Sequence, residues 1–481
     1  MLLRVRRLDS LYDPERAFVH LYGESPSAFW LDSSMVGGRA RFSFMGSADG
    51  PLGAVITYDV DAGEVRVERD DGVEVLRESI FDYLGRELGR LRQSSDDLPF
   101  DFDCGFAGYF GYELKADCDG DAVHRSPMPD AAFVFADRLL AFDHLEGHTY
   151  VLCLAEPEGM EEGERWIAET SSRLASLPPL AEPEWTDAEA EQEPVAFHLS
   201  RSHDRYLDNI AACKRRLFAG ETYEVCLTNK VLADVAPDPL PLYRALRRVN
   251  PAPYSAFLRF GGMAVLSSSP ERFLAIGRDR WTEARPIKGT CRRGETPAEE
   301  ARLAEGLRTD GKSRAENVTI VDLLRNDLGI VCEYGTVQVP DLMRVETYET
   351  VHQLVSTVRG RLRPDVGAPD CIRACFPPGS MTGAPKVRTM EIIDELEGEA
   401  RGPYSGAIGY LGLAGGCDLS VAIRAIVTDG ESMSIGAGGA IVVQSDPEDE
   451  YREMLLKARA PMRAIEAAVR DARGLALRSP G

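Results

Sequence analysis

Near the C-terminus Glu450, Glu453 and Lys457 follow one another at spacings of three and four, which places all three on one face of a helix. The plain interpretation is an exposed Glu453–Lys457 ion pair, which contributes little. A further carboxylate, Glu316, stands beside Asn317 in another helical stretch. Two helices that each present a carboxylate can hold a hard cation such as Mg²⁺, with water or substrate oxygen completing the shell. Glu316 also fits a capping box in Ser313-Arg314-Ala315-Glu316, so spacing alone leaves both roles open.

Lys288 lies in Arg285-Pro286-Ile287-Lys288-Gly289-Thr290, between an apolar residue and a glycine that lets backbone approach a ligand. A lysine there could have its pKa lowered and act as a nucleophile; a surface lysine in a turn is the alternative. Glu271, in Ser267-Ser268-Ser269-Pro270-Glu271-Arg272, ends a strand and is a candidate general acid, or else a solvated partner of Arg272. Gly436-Ala437-Gly438-Gly439 lacks the third glycine of a dinucleotide fingerprint and fits a backbone cradle for a carboxylate, or a plain turn. Gly379 to Lys386 is a small-residue loop opening a helix, where N-termini favour anions. Together these groups suit a small dianionic substrate clamped by Mg²⁺.

The elements that must position them are legible. Ala54–Val60 and Gly63–Glu68 have the form of a hairpin, and 132–137 and 149–154 of further strands, with a helix from Glu161 to about Leu177. A proline-flanked acidic run, 178–197, has no basic residue and too little apolar surface to fold alone; it is a linker between a domain at 1–177 and one at 198–466, with a tail at 467–481. Beyond it, Tyr206, Ile210, Cys213 and Leu217 mark an amphipathic helix stopped by Gly220. Strands follow at 224–232, 255–260 and 264–268, and helices at 315–328, 386–396 and 448–469.

Composition excludes some classes. A net charge of −23 argues against nucleic acid and anionic lipid as partners, since both require a basic face. Ten cysteines without a CxxC pair fit free thiols in a reducing cytoplasm. No signal peptide and no long apolar run is present, so a cytoplasmic protein without a membrane span is expected.

The segments SSSPERFL, RPIKGTCRRG, DGKSRAENVTIVDLLRNDLGIVC, VHQLVS, PPGSMTGAPKVRTMEIIDELEG, RGPYSGAIGYLG, DLSVAIRAIV, GAGGAIV and DEYREMLLKA cover nearly all of 200–465 and closely resemble the chorismate-utilising enzymes. The first 150 residues match more loosely. The resemblance implies an α+β fold with two large antiparallel β-sheets packed face to face and helices outside. It implies Mg²⁺ held by Glu316 and Glu453, with Glu450 nearby through water, gripping the ring carboxylate of chorismate. Gly289 and Thr290 would line that end. Tyr404, Arg424 and the backbone of Gly438, Gly439 and Ala440 would hold the enolpyruvyl carboxylate, with Lys457 and Ser380 adding polar contacts. His352 would sit beside the ring, and Glu271 would protonate the departing C4 hydroxyl.

Within that family the residue between Ile287 and Gly289 is typically alanine where ammonia enters at C2 and lysine where it enters at C4. Lys288 therefore implies C4 amination: the lysine adds at C2 and expels the hydroxyl, and ammonia displaces the lysine, giving 4-amino-4-deoxychorismate, precursor of 4-aminobenzoate. Members that use water carry a lysine at the position of Glu224, and amino-transferring members usually a glutamine; the glutamate argues against water as nucleophile. The competing expectations are C2 amination and a non-catalytic binding subunit. No glutaminase module is recognisable, so ammonia is expected from a separate glutaminase subunit, and no fused lyase is expected. Relatives carry an N-terminal tryptophan site; Ser33 and Ser34 occupy the matching segment, and binding there is left open.

Overall fold

The computed structural model describes residues 1–35, 41–92, 98–180, 195–348 and 351–478. Most of the acidic 178–197 run lies outside them.

Two 12-stranded sheets, antiparallel throughout, form the body. At the heart of the first, Ser27–Asp32 pairs with Tyr254–Phe260, which leads through Met263–Ser269 and Ala425–Thr428 to Met433–Ile441 and Glu224–Ala233. In the second, Ile287–Arg292 pairs with Val351–Arg361, and the path runs through Trp281–Arg285, Arg272–Ile276, Cys417–Val421 and Ala407–Gly412 to Gly105–Phe110 and the N-terminal hairpin. Residues before 178 and after 197 thus share both sheets, at Phe257↔Trp30 and at Gly409↔Gly108. We propose the 178–197 division as one of sequence, because packing does not follow it.

The inner faces meet through aromatic side chains. Phe44 of the first sheet is 5.4 Å from Tyr410 of the second, and Tyr109 of the second is 6.0 Å from Phe260 of the first. Each such ring, removed from water, stabilises the fold by roughly 1.5–3 kcal/mol. Helices cover the outer faces. His203–Phe218 buries Tyr206, Ile210, Cys213 and Leu217 at the spacing expected of an amphipathic helix. Gly311–Val331 buries Ile320, Val321, Leu324 and Leu328 against the second sheet.

Helix starts explain one difference from expectation. Asp310, not Ser313, caps Gly311–Val331 by accepting from the Ser313 N–H at 2.7 Å. Glu316 is therefore one turn in and has no capping work. The C-terminal helix runs Pro447–Arg478, beyond the expected end at 469. No helix among the described residues is long and apolar enough to cross a membrane. All ten cysteines are free thiols, as composition implied.

Candidate functional site

Lys288 sits in a strand, not a turn. The ladder between Ile287–Arg292 and Val351–Arg361 is irregular between Ile287 and Thr290. A bulge of that kind re-aims a side chain, and Lys288 is buried. Its Nζ donates to Glu224 Oε1 at 2.6 Å. Glu224 is fully buried, and its Oε2 has no hydrogen-bond partner among the described residues. Burial alone would lower the lysine's pKa, but Glu224, and after it Glu316, outweigh burial and hold it above the usual lysine value. The direction is opposite to the lowering considered from the sequence. Gly289 follows with φ +90, and a Cβ there would lie 2.7 Å from Ser313 Oγ, so only glycine fits. Thr290 is exposed and lies opposite Gln353.

Glu271 is buried and does not pair with Arg272, whose guanidinium goes to Asp418 at 2.7 Å. Burial pushes the Glu271 carboxyl up to about 7, against the lowering effects of the Ser380 hydroxyl, the Lys288 charge and the Ile287 N–H. Ser380 thereby takes its place beside Glu271. His352 Nδ1 is 2.9 Å from Thr347 Oγ1, and its Nε2 lies 3.2 Å from Glu300 Oε1 without a hydrogen bond among the described residues.

The glycine-rich run lies inside the strand Met433–Ile441, not in a turn. A Cβ on Gly436 would strike the Tyr404 ring at 2.1 Å, so the ring packs directly on bare backbone. Gly438 stands opposite Thr228, whose N–H goes instead to Glu397 at 2.8 Å. The Gly438 carbonyl accepts from Lys457 Nζ at 2.8 Å. A residue's N–H and C=O lie on the same edge of a strand, so the Gly438 N–H faces that same side. Arg424 has a left-handed φ of 52, a costly conformation for a branched-out side chain and one that recurs at functional sites. Its guanidinium makes one weak hydrogen bond among the described residues, to the Lys457 carbonyl at 3.3 Å. Burial holds it below the usual arginine value despite Tyr404 and Glu453. A half-buried guanidinium with one weak partner among the described residues, beside a strand edge that presents an N–H, can receive a carboxylate.

Glu316, Glu450 and Glu453 come from the two expected helices. Glu453 pairs with Lys457 at 2.7 Å, and a Cβ on Gly439 would lie 3.2 Å from Glu450 Oε2 and 3.8 Å from Glu453 Oε1. Lys312, which the sequence analysis passed over, donates to Glu450 at 2.5 Å and lies 3.7 Å from Glu316. Its i,i+4 spacing to Glu316 was the available signal. With these lysines between them, no three His, Cys, Asp or Glu side chains among the described residues form a ready-made metal cage. The donor set nevertheless fits Mg²⁺. It is all oxygen, Glu450 Oε2 is buried without a partner among the described residues, and burial pushes Glu316 up to about 7 against the pull of Lys288.

A buried ion pair fixes the floor of the site. Arg401 donates to Glu397 at 2.8 and 2.7 Å, to the Met381 carbonyl at 2.7 Å and to the Cys226 carbonyl at 2.8 Å. It ties together the strand of Glu224, the loop of Ser380 and the segment of Tyr404. Replacing Arg401 with methionine leaves Glu397 charged and unpaired; an expected loss of about 3–5 kcal/mol is measured as a lowered urea midpoint. Glu397 and Arg401 escaped the sequence analysis because an i,i+4 pair on a helix end resembles a surface pair.

A cavity of about 330 Å³ lies elsewhere, between Ser33, Phe42, Pro253, Tyr254, Arg272 and Tyr410. Ser33 borders it, and Ser34 Oγ is 2.8 Å from Ser255 Oγ.

The chain matches the family of chorismate binding enzymes over residues 52–463. It belongs to that family. Among its relatives, aminodeoxychorismate synthase of Streptomyces pristinaespiralis is 51% identical over 97% of the chain, which spans 65% of that relative's length. Anthranilate synthase component 1 of Streptomyces coelicolor is 36% identical over 96% of the chain and 88% of the relative. The crystal structure of anthranilate synthase component I from Streptococcus pneumoniae superposes with a TM-score of 0.75 at 28% identity, covering 94% of the chain and 97% of that structure's. The two-sheet α+β architecture expected from the resemblance is thereby borne out.

Proposed function

We propose that this chain aminates chorismate at C4 to give 4-amino-4-deoxychorismate, working in the cytoplasm with ammonia from a separate glutaminase subunit. The observation that carries this is Lys288, buried with its Nζ 2.6 Å from Glu224 and within electrostatic reach of Glu271 and Glu316. The similarity to aminodeoxychorismate synthase supports it.

Arg424, Tyr404, Lys457 and the backbone of Gly438 to Ala440 hold the enolpyruvyl carboxylate. Gly289 and Thr290 border the ring carboxylate, and His352 shapes the flank of the ring. Glu316 and Glu453, with Glu450, would hold Mg²⁺, which would supply a positive anchor for that carboxylate. Lys288 Nζ bonds to C2 as the C4–O bond breaks, and Glu271 gives its proton to the leaving hydroxyl. Ammonia then bonds to C4 as the C2–N bond breaks.

Because Glu271 must be protonated to act, kcat is expected to fall as pH rises through about 7. Initial rates from about pH 6 to pH 8 check this at saturating Mg²⁺, which keeps Glu316 ionised. Glu271→Gln should lower kcat about 100-fold and abolish that alkaline limb.

A second reading, amination at C2, has the 36% identity to anthranilate synthase component 1 in its favour. The test is to incubate the chain with chorismate, Mg²⁺ and ammonium, then add 4-amino-4-deoxychorismate lyase. 4-Aminobenzoate formed only after the lyase supports C4 amination. 2-Aminobenzoate without it, or product from glutamine alone, overturns the proposal.

A further inference from the structure

An ammonium cannot attack carbon, and Lys288 Nζ, which donates to the buried Glu224 carboxylate at 2.6 Å, must give up a proton before it can. Its proton must go to a base within reach as the N–C bond forms. Glu271 cannot serve, because the same step asks it to donate a proton. Glu224 remains, at 2.6 Å from Nζ. Its place is fixed by the backbone. The Glu224 carbonyl accepts from Thr222 Oγ1 at 3.0 Å, and Gly383 packs so closely that a Cβ there would lie 1.9 Å from that carbonyl oxygen. Glu224 opens a strand of the first sheet and Lys288 lies on a strand of the second, so the pair joins the two sheets. The carboxylate is buried, and one of its oxygens is unengaged among the described residues.

We propose that Glu224 is a catalytic base of this site, taking the proton from the Lys288 ammonium as Nζ bonds to carbon and returning it when Nζ leaves. The proposal rests on the C4-amination reading. In the first half Glu224 gains the Lys288 proton, the Nζ lone pair forms the bond to C2, the ring double bond shifts, and the C4–O pair leaves as water with the Glu271 proton. In the second half the ammonia lone pair bonds to C4 and the C2–N pair returns to Nζ. The new C4 ammonium gives one proton to the Glu271 carboxylate, and Glu224 reprotonates Nζ. Both carboxyl groups end as they began, and the net change is ammonia in and water out. Oε2 of Glu224, buried without a donor among the described residues, is the acceptor available to an N–H of the incoming ammonia.

Glutamine at this position keeps the shape and the acceptor oxygen but takes no proton. The test uses the full chain with Mg²⁺ and chorismate, without ammonia, and follows the mass of the Lys288 adduct after rapid quenching. Glu224→Gln is expected to slow adduct formation about 100-fold while chorismate affinity, measured by calorimetry, holds within about twofold of the unsubstituted chain. Glu224→Asp, which retains the base one methylene short, should recover part of the rate. Adduct formation by Glu224→Gln at the unsubstituted rate overturns the proposal and leaves C4 amination standing. Lost chorismate affinity with an unchanged rate constant assigns Glu224 to binding and overturns it also. A 2-amino product from the unsubstituted chain removes the C4 reading itself, and the proposal with it.

Discussion

Lys288→Ala is expected to lose the 4-amino product by at least about 1,000-fold, because it removes the nucleophile rather than weakening a contact. Without the lysine, C2 is open to ammonia, and a small amount of 2-amino product is the accompanying expectation. Truncation also strands Glu224 as a buried, unpaired carboxylate, which can cost stability. Circular dichroism and a chorismate binding isotherm therefore accompany the rate measurement: folded protein that binds chorismate but makes no 4-amino product places the loss in the chemistry. Undiminished 4-amino product in this variant would falsify the covalent route.

The second large effect belongs to the carboxylates on the two helices. Altering groups that merely support metal ligands costs about 10- to 100-fold in metal affinity, and removing a ligand costs at least as much. Glu316→Gln and Glu453→Gln are each expected to weaken Mg²⁺ binding at least about 100-fold in calorimetry, with a parallel loss of amination. Glu453→Gln also frees Lys457 from its 2.7 Å partner, yet the Gly438 carbonyl still holds that lysine. Its enolpyruvyl contacts should survive, and product analogues lacking the ring carboxylate should bind nearly as before. Unchanged Mg²⁺ affinity in both variants would remove these helices from the metal site.

Local periodicity made the helices legible. Tyr206, Ile210, Cys213 and Leu217 declare one buried stripe, and Val321, Leu324 and Leu328 lie on another. The sheets were legible only through the resemblance, since their order joins strands more than two hundred residues apart, such as Ser27–Asp32 to Tyr254–Phe260. The place of the glycine-rich run at 436–439 within a strand was not legible, because glycine weakens isolated strands. Here the pairing with Glu224–Ala233 and the packing of Tyr404 on Gly436 override that propensity. Lys288 was recognised as special, but its ion pair with Glu224 was not, because Glu224 is brought to it only by the packing of two sheets. Lys312 was overlooked although it stands one turn before Glu316. A lysine that neutralises carboxylates has the same spacing as one that forms an ordinary surface pair, and only burial of Glu450 separates the two.

Locating the incoming nitrogen tests C4 amination most directly. The chain is incubated with chorismate, Mg²⁺ and ¹⁵N-ammonium, and the product is examined by proton–nitrogen and proton–carbon correlation NMR. The label on C4, with the enolpyruvyl group retained, is the predicted result. The label on C2, with or without loss of pyruvate, would contradict it.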